Sequence, residues 1–268
     1  MLKISKKVTP LILSVIVLST LTILLLIFSY TAGRPLQASN SQIPIVINQL
    51  NKENGVVPVE LSCGNAQLAN PSEITGFSCS LKNNTAKTIN SVTTTYNIIT
   101  EKDGKEAGTP SYVTMESTVH PDLVSEHLHQ AIPPGGERSL EINETTKYDD
   151  AVIKRVEIYV DYVEFSDMSS LGPNKMGEKI VTSMRSGASI YRNWLVQQFY
   201  QNGDSPEKII SVLQNNQPLP TGIGLDDLYF KQGARVYRSH LLDIYNKQGE
   251  KELEIIFNRP DERHSMKK

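Results

Sequence analysis

Residues Leu11 to Tyr30 read LILSVIVLSTLTILLLIFSY, twenty positions without a charge, and nothing else in the chain limits its fold so severely. At about 1.5 Å per residue, a helix of that length spans a hydrocarbon core of about 30 Å. In lipid the backbone polar groups must be satisfied within the segment, which a helix does. Lys3, Lys6 and Lys7 precede the run, and only Arg34 follows it closely. The positive-inside bias therefore predicts a single-pass signal anchor in the cell membrane, with a cytoplasmic N-terminus and an extracytoplasmic folded part. A cleaved signal peptide is the alternative. Its apolar core would run about 7–15 residues and end at a small-x-small site. Tyr30 spoils a cut after Ala32 and Leu36 weakens one after Ala38, which leaves Gly33, with Thr31 two residues earlier.

Lys3, Lys6, Lys7 and Arg34 are four of the 27 basic residues, and none of the 29 acidic residues comes before residue 35. The exported part is thus near −6, which argues against a nucleic-acid partner, since that would need a basic stripe. The chain has only two cysteines, Cys63 and Cys79. In an oxidising compartment an even pair favours a disulfide, with two buried thiols as the alternative.

Residues 34–43 are polar and aperiodic, a tether between membrane and fold. From Pro44 to Phe165, runs rich in Val, Ile, Thr and Tyr alternate with turn clusters such as Asp103-Gly104 and Pro133-Pro134-Gly135-Gly136. Strands are expected over Ile45–Gln49, Val56–Cys63, Ile74–Lys82, Thr88–Thr100, Tyr112–Thr118, Leu123–Ala131, Glu137–Ile142 and Val152–Phe165. In the last, Val156, Ile158, Val160 and Tyr162 alternate with Arg155, Glu157, Tyr159 and Asp161, the period of a sheet with one buried face. Seven or eight such strands predict an antiparallel, immunoglobulin-like β-sandwich over 44–172, without the inter-sheet disulfide and buried Trp of antibody domains.

After Gly172-Pro173 the texture turns helical, and a duplication appears. GASIYRNWLVQQFYQNG (187–203) and GARVYRSHLLDIYNKQG (233–249) match 46 positions apart, in Gly187/Gly233, Ala188/Ala234, Tyr191/Tyr237, Arg192/Arg238, Leu195/Leu241 and Gly203/Gly249. Carried on to Ile209/Ile255 and Ile210/Ile256, the register gives eight identities in 24 positions. Ala188, Tyr191, Leu195 and Phe199 share one helical face, as do Ala234, Tyr237, Leu241 and Tyr245. Gly203 and Gly249 stand where helix C-caps belong, and Ser205-Pro206-Glu207 starts a second helix. The region 173–260 is therefore read as two helical hairpins packed about a pseudo-two-fold axis, followed by a tail over 261–268. A mid-helix glycine costs about 1 kcal/mol against alanine, so Gly187 and Gly233 predict a close crossing of backbones. The whole chain is α+β: anchor (1–33), tether, sandwich, helical duplication, tail.

The sequence Asp161-Tyr162-Val163-Glu164-Phe165-Ser166-Asp167 followed by Leu171-Gly172-Pro173 resembles a strand-end pattern of uncharacterised bacterial exported proteins with an immunoglobulin-like sandwich. Those carry Asp-Gly and Trp-Gly-Pro where this chain has Met168 and Leu171, and the resemblance implies no activity.

Three sets of residues carry potential chemistry. His127 and His129 would share one strand face and could hold a metal, or be solvated histidines. Asp161, Glu164 and Asp167 sit near one strand end, as a calcium or paired-carboxylate site or as a polar edge. Tyr191-Arg192 and Tyr237-Arg238 occur twice. Either they are core tyrosines with paired arginines, or the arginines line a groove for an acidic or peptide ligand. The chain has no G-x-S-x-G, H-E-x-x-H, P-loop or G-x-G-x-x-G motif. No cofactor is expected. The expected function is non-enzymatic, a protein-binding or scaffolding module of the cell envelope. The alternatives are a metal-dependent hydrolase using His127 and His129, and a secreted ligand-binding or inhibitor sandwich.

Overall fold

The computed structural model describes residues 41–117, 131–143, 145–201, 206–214 and 218–258. The strands are β1 (Ser41–Ile43), β2 (Ile45–Asn48), β3 (Val59–Cys63), β4 (Ala66–Asn70), β5 (Glu73–Asn83), β6 (Ile89–Lys102), β7 (Lys105–Glu116), β8 (Glu137–Ile142), β9 (Thr146–Lys147), β10 (Val152–Phe165) and β11 (Ser170–Leu171). The helices are α1 (Gly177–Gln201), α2 (Pro206–Gln214), α3 (Leu228–Gln248) and α4 (Glu250–Asn258). The expected anchor, Leu11–Tyr30, and the expected strand residues 123–130 lie outside the described residues. Among the described helices none is long and apolar enough to cross a membrane.

Two packed sheets come first. The first is centred on β5, with β3 and β4 end to end along one side, β8 and β9 along the other, and β1 outside β4. The second places β6 between β7 and β10. The chain passes from β5 to the β6–β7 hairpin, returns to the first sheet as β8, and crosses again as β10 beside β6. Pro44 carries it from β1 in one sheet to β2 in the other. One pairing departs from the antiparallel expectation: β2 runs parallel to β10, with Ile45 opposite Val156 and Asn48 opposite Tyr159. A strand that has just switched sheets at Pro44 without reversing direction has only that orientation open to it.

The period-2 pattern is what closes the sandwich. Val59, Leu61, Ile74 and Leu81 from the first sheet meet Val92, Tyr96, Val156 and Ile158 from the second, all buried. Phe77 meets Tyr96 edge to face across 5.5 Å. Cys63 and Cys79 are directly opposite in the β3–β5 register and form the disulfide. It closes a loop spanning 16 positions.

The β6–β7 hairpin is longer than the sequence pattern predicts. β7 begins at Lys105 rather than Tyr112, because Asp103 (φ 52°) and Gly104 (φ 74°) form a two-residue turn that holds the whole ribbon in register. Lys102 and Lys105 flank that turn as a hydrogen-bonded pair, so the alternation puts the nitrogen of Pro110 on the open edge of the sheet. No amide is missed there, and the proline blunts the edge against strand addition.

α1 joins the two halves. Its first turns lay Ile180, Val181 and Met184 on the outer face of the second sheet, while Ala188, Tyr191, Leu195 and Phe199 enter a core shared with α2, α3 and α4. The crossing of α1 and α3 is as close as the paired glycines predict. A Cβ on Gly187 would stand 2.5 Å from Phe230 Cα, and one on Gly233 would stand 2.6 Å from Met184 Cα. Met184 and Phe230 are themselves 46 positions apart, so the contact is reciprocal, as a pseudo-two-fold demands.

Beyond the first helix of each copy the repeat register holds only in part, with Ile210 and Ile256 both buried. Ile209 is buried, whereas Ile255 is 49% exposed. The buried sets Ile209, Leu213 and Leu253, Phe257 match 44 positions apart instead. The reason is the connection: α4 starts one residue after Gly249, and α2 starts three residues after Gly203.

Candidate functional site

Polar side chains fix the helices to the sandwich. Asp161, wholly buried on β10, accepts hydrogen bonds from the amides of Lys175 (3.0 Å), Met176 (2.9 Å) and Gly177 (2.8 Å). These are amides at the start of α1, which have no partner within the helix, and a carboxylate there also meets the positive end of the dipole. Glu164 does something different. With Glu116 it receives the guanidinium of Arg185 from α1. Ser91 and Tyr162 donate to Glu116 (2.6 Å) and Glu164 (3.2 Å) respectively. Burial, with Glu164 beside it, pushes the Tyr162 phenol up to about 12. Asp167 lies apart, exposed, and pairs with Lys87 at 2.7 Å. Three carboxylates that neighbour one another in sequence therefore serve a helix cap, a buried ion network and a surface pair.

The duplicated Tyr-Arg pairs diverge in place. Tyr191 and Tyr237 are both core residues of the helical pair. Arg192, 3% exposed, reaches the carbonyl of Ile256 in the last turn of α4 (3.4 Å). Arg238 reaches the carbonyl of Leu213 in the last turn of α2 (3.1 Å). Each arginine thus meets carbonyls left over at the negative end of the other copy's second helix, where a cation is stabilising.

Only Arg238 also faces solvent, and there the structure forms a groove. Two adjoining concavities, about 250 and 440 Å³, share Arg238 and Pro218 as walls. The narrower one is lined by Trp194 and Gln198 of α1 and by Lys208 of α2. The wider one runs along Arg235 and Leu242 of α3. Trp194 stacks on Tyr191 with centroids 5.7 Å apart, which fixes the indole as a wall. Burial raises the Tyr191 phenol above its ordinary range, partly offset by the charge of Arg238. Lys208, Arg235 and Arg238 give the lining three cations, and no carboxylate lines it. The groove can therefore take an acidic group beside an apolar or aromatic one.

The repeated Arg238 was visible in sequence, but its neighbours Trp194, Lys208 and Arg235 were not. The signal for them is divergence: Trp194 is answered by His240 in the second copy. His127 and His129 lie outside the described residues, and among the described residues no group of three metal-binding side chains gathers. No protein-family model matches the chain, and no curated protein matches it as a relative.

Proposed function

We propose that this protein is a non-enzymatic, membrane-anchored module of the cell envelope that binds an acidic segment of a partner protein in the helical groove. In this reading Leu11–Tyr30 is the anchor, the N-terminus is cytoplasmic, and an immunoglobulin-like sandwich carries the helices on the extracytoplasmic side. The disulfide supports an oxidising compartment. The parallel β2–β10 pairing and the return of the chain between sheets support the immunoglobulin-like topology.

The observation that carries the binding role is a groove with an aromatic wall whose lining holds three cations and no carboxylate. Charge complementarity selects an acidic partner. A concave site with an aromatic wall receives a side chain, whereas a membrane surface is met by protruding apolar residues. The fixed attachment through Asp161 and Arg185 would hold a captured partner at a set attitude to the sandwich.

The test uses the full-length chain in its own membranes, with a photo-crosslinking amino acid at Gln198. A discrete protein adduct is expected, and Lys208→Glu with Arg235→Glu should abolish it. Both side chains are exposed and make no hydrogen bond or ion pair among the described residues, so the fold should persist. An adduct indifferent to charge reversal, or an adduct to lipid alone, would overturn the proposal.

A further inference from the structure

A larger concavity than the groove lies elsewhere, on the outer face of the second sheet, at about 750 Å³. Its floor is set by register. Asn48 of β2 lies opposite Tyr159 of β10, and Asn97 of β6 lies opposite Glu157, two residues back on the same face. Its sides are the 49–53 loop and the connector from Leu171 to Lys175. Volumes of this order are those of small-molecule sites.

Both sides are pinned. Gln49 bonds the main chain of Leu61 twice, its amide donating to the carbonyl and its carbonyl accepting from Leu61 N–H (3.1 Å). The connector is held by the Asp161 cap and by Gly172, whose φ of +116° and closeness to the Asp161 carbonyl leave no room for a side chain. A site held this way is preformed, so a ligand need not order it on binding.

Its chemistry is specific. Asn48, Asn51 and Asn97 line the cleft, and their carboxamides make no hydrogen bond among the described residues. Each carboxamide offers a donor and an acceptor on one rigid plane. Glu157 shares Arg155 (2.8 Å) with Glu106, and the other lining charges, Glu53 and Lys175, are of opposite sign, so the lining carries no excess of positive charge. Lys175 is held 5.1 Å over the Tyr159 ring. Such a surface has no excess charge for a phosphate or a carboxylate. It suits a neutral ligand dense in groups that both donate and accept, which is the chemistry of adjacent hydroxyls. Leu50, Leu171 and Pro173 supply apolar wall for the C–H side of a ring.

We propose that this cleft is a binding site for a neutral saccharide, separate from the groove and independent of it. The test is saturation-transfer NMR on detergent-solubilised full-length chain, with maltose and N,N′-diacetylchitobiose as probes. Saturable transfer is expected from at least one, and Asn48→Ala with Asn97→Ala should weaken it at least tenfold while the urea midpoint stays put. Lys208→Glu in the groove should leave it unchanged. No saturable transfer from either probe, or transfer undiminished in the double variant, would overturn the assignment. So would displacement of the sugar by acetate or inorganic phosphate.

Discussion

Replacing Gly187 by alanine should destabilise the protein, although local propensity predicts the reverse. In an exposed helix the change would contribute about 1 kcal/mol of stability. Here the new Cβ would sit 2.5 Å from Phe230 Cα, about 0.9 Å inside ordinary contact, and nearer still to that residue's carbonyl oxygen. Those atoms are backbone, so no rotamer change relieves the overlap and α1 and α3 must separate. A gap of about 0.5–1 Å already forfeits a quarter to a half of each dispersion contact it opens. Ala188, Tyr191, Leu195, Ala234, Tyr237 and Leu241 all lie along that interface. Overpacking of this kind costs about 1–3 kcal/mol and sometimes more, so after the propensity gain a net loss of about 2 kcal/mol is expected. Gly233→Ala should behave alike, because its Cβ would meet Met184 in the mirrored position. The double variant should lose clearly less than the two singles together, since one separation of the helices relieves both overlaps. Trp194 is the only tryptophan and packs, half-buried, against the helical core, so its fluorescence in a urea titration reports on this module. A neutral or stabilising Gly187→Ala, or full additivity in the double variant, would refute the steric account.

Arg185→Met leaves Glu116 and Glu164 buried without their shared cation, and a loss of about 3–5 kcal/mol is expected in the urea midpoint, part of it recovered by adding Glu116→Gln. Asp161→Ala removes the acceptor for three amides, costing about 1–3 kcal/mol, and hydrogen exchange should speed first at Lys175, Met176 and Gly177. Burial lowers the folded pKa of His240 below 6.5, against the opposing charge of Asp243. The unfolded chain therefore binds the proton first, stability falls as pH drops below 6.5, and His240→Leu should flatten the fall in melting temperature on that side. Reducing Cys63–Cys79 should lower stability by about 3 kcal/mol, the entropy of a loop of about 15 residues, measured as a urea midpoint shift with and without dithiothreitol.

Periodicity carried most of the fold. The alternation in β10, the runs in β5, β6 and β8, and the helical faces of α1 and α3 are long enough to outweigh their surroundings. What periodicity could not carry is structure made by pairing alone. β4, β9 and β11 are short, and the first half of β7, KEAGTPS, has the composition of a loop. Those residues extend because a two-residue turn lays them against β6, a long-range cause that leaves no local trace. The start of α3 at Leu228 is set locally, because Asp227 accepts from Tyr229 and Phe230 and so fixes the cap. The carboxylates of β10 were legible as polar residues near a strand end, but not as three separate devices. Their fates depend on where α1 lands, and α1 lands where Gly177 lets it: a Cβ there would overlap the Tyr162 side chain.

The duplication separates what the fold needs from what one copy does. Residues identical between copies are those that symmetry uses twice: the crossing glycines, the alanines and leucines of the shared core, and the arginines that meet helix-end carbonyls. A binding site needs no such repetition, so it should lie where the copies differ. The groove does. Trp194 is replaced by His240 at the equivalent position, and Lys208 by Glu254 in the 46-residue register or Glu252 in the 44-residue one. Either register reverses the charge. The second copy therefore cannot offer the same acidic-ligand chemistry even with Arg192 equivalent to Arg238, and Arg192 is in any case buried against Ile256. Exchanging the divergent pair sharpens the point. Trp194→His with Lys208→Glu should remove partner capture at Gln198 while leaving the urea midpoint within about 1 kcal/mol, since neither side chain is fully buried. Capture that survives the exchange would place the binding surface outside this groove.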